Sequence, residues 1–314
     1  MTFSRSTGTI RQRRRSVKKQ KILVIVGPTS SGKSALAVEL ARRFNGEVIS
    51  ADSRQVYRGL DLGTGKITRA EMKGVRHHLL DVASPKKIFT AHDFVAHAER
   101  AIADIARRGK LPIIAGGTGF YIDALIGRIA LADVVANKHL RATLEKKTPA
   151  QLLAMLKRKD PLRAKTIEPH NKRRIIRALE IVAALGHVPK NTDIRCPYLP
   201  LWIGIAMSLG TLERKIHARL LARMKQGMVA ETHRLHAAGF SYKRMEQLGL
   251  EYRALSHLLQ GKTTREEMFE SLYRDIRRYA KRQLVYWKRN AEIRWFSPDA
   301  LAQMKTVVQR WRAT

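Results

Sequence analysis

The sequence predicts an α/β fold: a parallel sheet with flanking helices, a small helical insert and a helical C-terminal region. Three observations carry that expectation. Apolar runs alternate with helical periods over residues 21–126, the strand signal lapses over residues 127–168, and after one more apolar run only helical periods follow. Strand and helix in alternation give a parallel sheet covered on both faces, with ligands beyond the carboxyl ends of the strands.

Taken in order, residues 1–20 carry Arg5, Arg11, Arg13, Arg14, Arg15, Lys18 and Lys19 with no acid, and are expected to form a disordered, phosphate-binding tail. The tail shares its Arg/Ser richness with organelle transit peptides but lacks their amphipathic period. Strands are expected at 22–26, 47–51 and 111–115, and helices at 35–44, 90–108 and 120–126. In the second of those helices Phe94, Ala98, Ile102 and Ile105 recur on one face. Short helices at 139–145 and 149–158 make up an insert over 127–169, so the core is split into 21–126 and 170–314. A basic helix at 171–185 is closed by Gly186 and Pro189. A last buried strand at 201–207 precedes a long helix at 211–238, a short one at 253–259 and a final long one at 264–289. In the final helix Phe269, Leu272, Ile276, Tyr279 and Gln283 form an inward stripe, while Arg274, Arg278 and Arg282, with Arg277, Lys281 and Lys288 beside them, suit a nucleic-acid backbone.

The most specific chemistry lies at Gly27-Pro28-Thr29-Ser30-Ser31-Gly32-Lys33-Ser34, which fits G-x-x-x-x-G-K-[ST] between a strand and a helix. That is a P-loop, and it makes the fold P-loop NTPase-like. Backbone amides on such a turn point inward to bind phosphate oxygens, and the helix N-terminus adds partial positive charge. Lys33 can reach the outer phosphate and the Ser34 hydroxyl can ligate Mg²⁺. The motif specifies a polyphosphate, not which one. Asp52, at the end of the second strand, can serve as general base or as Mg²⁺ ligand, and spacing leaves the two readings open. Thr118, in the turn Gly116-Gly117-Thr118-Gly119, offers a hydroxyl to the same crevice or an N-cap to the next helix. His77 and His78 point to opposite faces of a strand, a poor metal pair, so one is expected buried and one at the surface. His92 and His97, five apart on a helix, are equally poor ligands, and no metal beyond phosphate-bound Mg²⁺ is expected.

Composition narrows the partners. Lys and Arg total 61 against 26 Asp and Glu, a net charge of +35, which calls for a polyanionic partner such as RNA. The single cysteine, Cys196, excludes a disulfide framework and a cysteine-rich zinc site, and fits a reducing, cytoplasmic compartment. No apolar run is long enough to span a membrane, and a monomer is the expected state. From the residues alone, a P-loop kinase of a small molecule or nucleotide, a transferase or NTPase acting on RNA, and an RNA-binding nucleotide switch all remain open.

Over residues 21–296 the chain resembles the tRNA dimethylallyltransferase (tRNA isopentenyltransferase) family. The segments that carry the likeness are GPTSSGKS at 27–34, ADSRQVYRGLDLGTGK at 51–66, HHLLD at 77–81, GGTGFY at 116–121, RRIIRALE at 173–180 and YAKRQ at 279–283. The resemblance implies transfer of a five-carbon group from dimethylallyl diphosphate to N6 of the adenosine at tRNA position 37, beside the anticodon. The P-loop would then hold a diphosphate leaving group, with Lys33 and Mg²⁺ countering its charge, and Asp52 would act as general base. Thr118 would position the reacting groups, and Asp52, Ser53, Arg54 and Gln55 would contact the adenosine. Arg173, Arg174 and Arg177, together with Arg278, Lys281 and Arg282, would grip the anticodon stem-loop. The chain departs from the family pattern at Leu209, where an arginine is common nearby, at Gly249-Leu250-Glu251-Tyr252-Arg253, and at Leu284-Val285-Tyr286-Trp287.

Overall fold

The computed structural model describes residues 19–189 and 196–314. The expected basic tail lies outside the described residues except for its last two, and Gln20 already belongs to a strand. The first strand, β1 (Gln20–Val26), is a β-branched and leucine run whose last five residues are buried. It leads through the P-loop into α1 (Lys33–Phe44) and β2 (Gly46–Ser50). After a short helix α2 (Arg69–Met72) come β3 (His77–His78), α3 (Ala91–Arg107), β4 (Leu111–Ala115) and α4 (Gly119–Leu125). Thr90 and Asp93 form a reciprocal capping box that fixes the start of α3.

The insert contributes α5 (Lys138–Glu145), α6 (Pro149–Lys159), α7 (Pro161–Thr166) and α8 (Lys172–Leu185). The chain returns to the sheet as β5 (Tyr198–Ile205). Five helices follow: α9 (Leu209–Lys225), α10 (Met228–Ala237), α11 (Tyr242–Gln247), α12 (Leu250–Leu259) and α13 (Arg265–Lys288). A three-residue strand β6 (Arg294–Phe296) and α14 (Leu301–Ala313) end the described chain.

The sheet is parallel, in the order β3-β2-β4-β1-β5-β6. Strand parity divides its core. Ile22, Val24, Ile49, Ile114 and Trp202 face α3, α4 and Trp287 of α13, whereas Leu23, Ile25, Val48, Ile113 and Ile203 face α1 and α14. The parallel α/β class expected from the alternation is therefore the one observed.

Several elements differ from expectation. The helix expected at 211–238 is two helices, because Gly227 takes φ +98°, a left-handed conformation that ends one helix and starts the next. The strand at 201–207 is not the last. β6 pairs beyond it, and three residues are too few to show a period. α14 escaped because no side chain caps its start, although Met304 and Val308 are fully buried against the sheet. α8, placed with the core by sequence, packs Ile175, Ile176, Leu179 and Val182 against Leu144, Leu152 and Leu156 of the insert. His77 and His78 are both half-buried and both bonded, where one surface histidine was expected. His77 Nδ1 meets the Val75 carbonyl at 2.9 Å, and His78 Nε2 meets Glu47 at 2.8 Å. Glu47 is 2 % exposed and also takes Arg108 and Lys110, so the sheet edge covers His78 with an ion-pair knot.

Candidate active site

The carboxyl ends of β1, β2 and β4 open into one pocket, lined by Thr29, Lys33 and Ser34 of the P-loop, Asp52 and Gln55 after β2, and Gly116 and Gly117 after β4. Thr64 and Ile67 from the loop before α2, His77 of β3, Arg219 of α9, and Tyr279 and Gln283 of α13 complete it. Sequence reasoning placed the P-loop, Asp52 and the 116–119 turn around one crevice; the structure brings Thr29, Lys33, Ser34, Asp52, Gly116 and Gly117 there, but Thr118 does not line it.

At the phosphate end, α1 starts at Lys33 with Gly32 as N-cap at φ +92°; no side chain caps the helix and its first turn holds no acid. Its first amides are thus left for an anion. Lys33 Nζ donates to the Pro28 carbonyl at 3.0 Å, which folds the side chain back along the loop. Burial, and next the neighbouring Arg219, lower the Lys33 ammonium to about 8, while Asp52 acts in the opposite direction. Ser31 is buried, whereas Ser34 is exposed toward the opening. Gly27, Pro28, Ser30, Ser31 and Gly32 shape the turn without lining the pocket itself.

At the other end, Asp52 is fixed by its own turn. Its Oδ1 accepts the Arg54 amide at 2.8 Å and the Gln55 amide at 3.3 Å, which leaves Oδ2 for a ligand. The Ser53 amide donates to Thr118 Oγ1 at 3.1 Å, and the Thr118 amide donates to the Ala51 carbonyl at 3.1 Å. Thr118 occupies the N-cap position of α4 but makes no capping bond, so its hydroxyl serves the Asp52 turn instead. A Cβ on Gly116 would fall 2.1 Å from the Ala51 carbonyl oxygen, which is why the glycine turn can lie against the end of β2.

Several pocket residues lay outside the sequence-based site, and Gln283, Tyr279 and Arg219 carry the most chemistry among them. Gln283, read there only as part of an inward stripe, joins two turns: its Oε1 accepts the Thr29 amide at 2.8 Å and its Nε2 donates to the Gly117 carbonyl at 3.0 Å. A Cβ on Gly117 would sit 2.2 Å from that Nε2. Tyr279, one turn earlier, has its phenol pushed up by burial and then by the nearby Asp52 carboxylate. Arg219 donates to the Gly65 carbonyl at 2.8 Å; its guanidinium is shifted down by surrounding protein and by Arg223. It supplies a cation to the pocket ten residues beyond Leu209, where the family pattern had suggested one. The i, i+4 spacing of Tyr279 and Gln283 was the available signal for the helix wall.

The shared motifs also have a structural cause. Lys66 Nζ pairs with Asp61 at 2.6 Å and with Asp81 at 2.5 Å, and donates to the Tyr57 carbonyl at 2.9 Å. The GLDLGTGK and HHLLD segments are two halves of one buried lysine site.

A family model described as IPP transferase matches residues 55–290. The chain belongs to the IPP transferase family. A tRNA dimethylallyltransferase of Leuconostoc citreum is 40% identical over 295 residues, covering 93% of this chain and 99% of that protein. Among solved structures, a full-length tRNA isopentenylpyrophosphate transferase from Bacillus halodurans superposes with a TM-score of 0.71 at 37% identity, covering 93% of this chain and 96% of its own. A eukaryotic dimethylallyltransferase solved while acting on tRNA gives a TM-score of 0.79 at 27% identity, over 93% and 77% of the two chains. The kinase alternative is not favoured by this membership.

The basic residues fall into two groups in this IPP transferase family member. Arg278, Lys281 and Arg282 are exposed on α13, with Arg282 over the ring of Tyr279, which lines the pocket. Arg173 and Arg174 are exposed at the start of α8, with Arg174 3.7 Å from Glu168. Arg177 differs from its two neighbours: it turns inward, donates to the Val134 carbonyl at 2.8 Å and pairs with buried Glu180 at 3.4 Å. Its guanidinium braces the insert, which removes it as a plain surface contact. Arg54 is half-buried against Gly249. No helix among the described residues is long and apolar enough to cross a membrane.

Proposed function

We propose that the chain transfers the dimethylallyl group of dimethylallyl diphosphate to N6 of the adenosine at tRNA position 37, releasing diphosphate. One observation carries this reading: the Ser53–Thr118 bond ties the Asp52 turn to the glycine turn, so a fixed carboxylate stands across the pocket from a P-loop lysine. The C1–O bond of the donor breaks, its electron pair leaves on the diphosphate, and N6 forms the new bond to C1. The N6 proton passes to Asp52, for which the free Oδ2 is suited. Lys33, Arg219 and the uncapped start of α1 neutralise the leaving group.

Among the described residues no three His, Cys, Asp or Glu side chains gather to hold a metal. The Ser34 hydroxyl would help hold a Mg²⁺ at the phosphate end, an ion that would add charge stabilisation to the leaving group. Val48, Ile67 and Ala115 offer apolar surface to the prenyl tail. An adenosine in a single-stranded loop can enter such a pocket at little unstacking cost, which favours the anticodon loop over a paired stem. The exposed arginines of α13 and α8 would lie along the anticodon stem, with the enzyme acting as a cytoplasmic monomer.

The test incubates the protein with unmodified tRNA, dimethylallyl diphosphate and Mg²⁺, then analyses the digested nucleosides and maps the modified position. Prenylated adenosine at position 37 is expected. Its absence, or its appearance elsewhere in the tRNA, overturns the reading.

A further inference from the structure

The wall of the pocket formed by residues 60–67 is not hydrogen-bonded to the sheet beside it. Lys66 ties its far end to Tyr57 and Asp81, and its 61–63 turn hangs from the helices that follow β5. Glu231 of α10 is 5 % exposed, yet its carboxylate accepts three consecutive backbone amides: Asp61 at 3.2 Å and Leu62 at 2.8 Å on Oε2, and Gly63 at 2.8 Å on Oε1. A fourth bond reaches Oε1 from the Tyr252 hydroxyl of α12 at 2.7 Å. Arg223 of α9 grips the same turn from its carbonyl side, donating to Leu62 and Gly63. Every polar atom of this buried carboxylate is therefore spent on shaping one turn. A Cβ at Gly63 would lie 2.2 Å from the Tyr252 ring, so the turn is pressed against the helix as well as bonded to it.

The next residues of that turn reach the reaction chamber. Thr64 and Ile67 line it. The Gly65 carbonyl receives Arg219 at 2.8 Å and Gln55 Nε2 at 3.4 Å, so the turn sets the place of one cation and one polar side chain of the site.

We propose that Glu231 is a positioning residue of this enzyme, acting through the 61–65 turn to hold Arg219, Gln55 and Thr64 around the prenyl donor. The inference rests on the pocket being the donor site. Three amides presented to one carboxylate need an acceptor with two equivalent oxygens. Glutamine has the same size but offers one acceptor and turns an NH₂ toward amides that also donate. Burial, and then the Glu231 charge, push the Tyr252 phenol upward, which keeps its hydroxyl protonated as the fourth donor.

The experiment measures kcat and KM for dimethylallyl diphosphate at saturating tRNA, the Kd for tRNA, and the melting temperature, for wild type, Glu231→Gln and Tyr252→Phe. Glu231→Gln is expected to lower kcat/KM for the donor at least 10-fold while the Kd for tRNA stays within threefold. Tyr252→Phe keeps the ring against Gly63 and deletes one bond, and a rise in donor KM of several fold is expected. Wild-type donor kinetics in a folded Glu231→Gln protein overturns the proposal, since an isosteric residue that merely fills space would behave that way. Parallel loss of tRNA binding and turnover overturns it too, as simple unfolding. If Glu231→Gln does not fold, Tyr252→Phe decides: an unchanged donor KM rejects the positioning role. Absence of any prenyl transfer by the wild type would instead strike the functional reading and leave the turn geometry standing.

Discussion

The phosphate end of the pocket is written in eight consecutive residues, whereas the carboxylate end is assembled from segments that lie far apart in the chain. Gly27–Ser34 folds as a local turn between β1 and α1, and its anion site comes from backbone amides that any compatible sequence would supply. Asp52 and Thr118 follow β2 and β4, Gln283 and Arg219 lie on α13 and α9, and the 61–65 turn is held by Glu231 of α10; the Asp52 turn, Gln283, Arg219 and the 61–65 turn are each joined to another segment by a side-chain bond. The P-loop amides are thus set locally, while the cation Arg219 and the geometry of proton removal depend on long-range bonds that single substitutions break.

The largest effect is expected from Asp52→Ala. It removes the group assigned to N6 deprotonation, a contribution of about 10²–10⁴-fold for a general base. Turnover should fall by that factor, with the Kd for tRNA nearly unchanged in a filter-binding assay. Equal losses in turnover and in tRNA affinity would make Asp52 a contact residue, and the contrast between the two ends of the pocket would then be one of binding alone.

Gln283→Ala probes the seam between the two ends. The substitution leaves the Thr29 amide and the Gly117 carbonyl without their partner, at about 1–3 kcal/mol each. A fall in kcat/KM of about 10–100-fold, together with a lower melting temperature, is expected. If only the melting temperature moved, the bridge would be structural and the two turns independently stable.

The same residue shows where sequence reasoning stops. The P-loop, Asp52 and Thr118 stood out because each follows an apolar strand, and the parallel sheet brings strand ends together. The parallel sheet and the helices on both faces followed from alternation, whereas the order of the strands is set by tertiary pairing and was not legible. Gln283 and Tyr279 were visible as an inward stripe, but a helical period reports only which face is covered, not that the face meets a glycine turn. Arg219 lay in a helix rich in basic residues and is exposed like Arg214 and Lys215, so only its bond to Gly65 and its place on the pocket distinguish it. Glu231 had no signal at all, since its burial is set by a turn some 170 residues earlier in the chain. Arg177 shows the converse: the pattern RRIIRALE marks it as basic, and only packing against Glu180 shows that it faces inward.

The phosphate end has its own pH signature. Lys33 lies lowered to about 8, so the free enzyme loses the ammonium as pH rises through that value. The charged form binds diphosphate. Hence kcat/KM for the donor should be level below about pH 8 and fall by up to tenfold per unit above it. Lys33→Arg, whose guanidinium stays protonated, should lower the plateau yet abolish that alkaline limb. A limb that persists in the arginine variant would assign the titration to another group.

The smallest change is expected on the outer side of α13, and it sharpens the contrast within a single helix. Tyr279 and Gln283 face the chamber, while Arg278, Lys281 and Arg282 face solvent one or two residues away. Arg278 lies 3.7 Å from Asp275 and Arg282 sits over the Tyr279 ring, so neither is locked into the core. If this side contacts RNA phosphates, Arg278→Ala and Arg282→Ala should each weaken tRNA binding a few fold at moderate salt. Each should also lower the slope of log Kd against log salt by about 0.7–0.9, the amount for one phosphate contact. With saturating tRNA, kcat should remain at the wild-type value, because the chamber side of the helix is untouched. A variant that lowered kcat without changing the salt slope would show that the arginine steadies Tyr279 through its cation–π contact, and the outer side of α13 would then belong to the catalytic end rather than to the RNA.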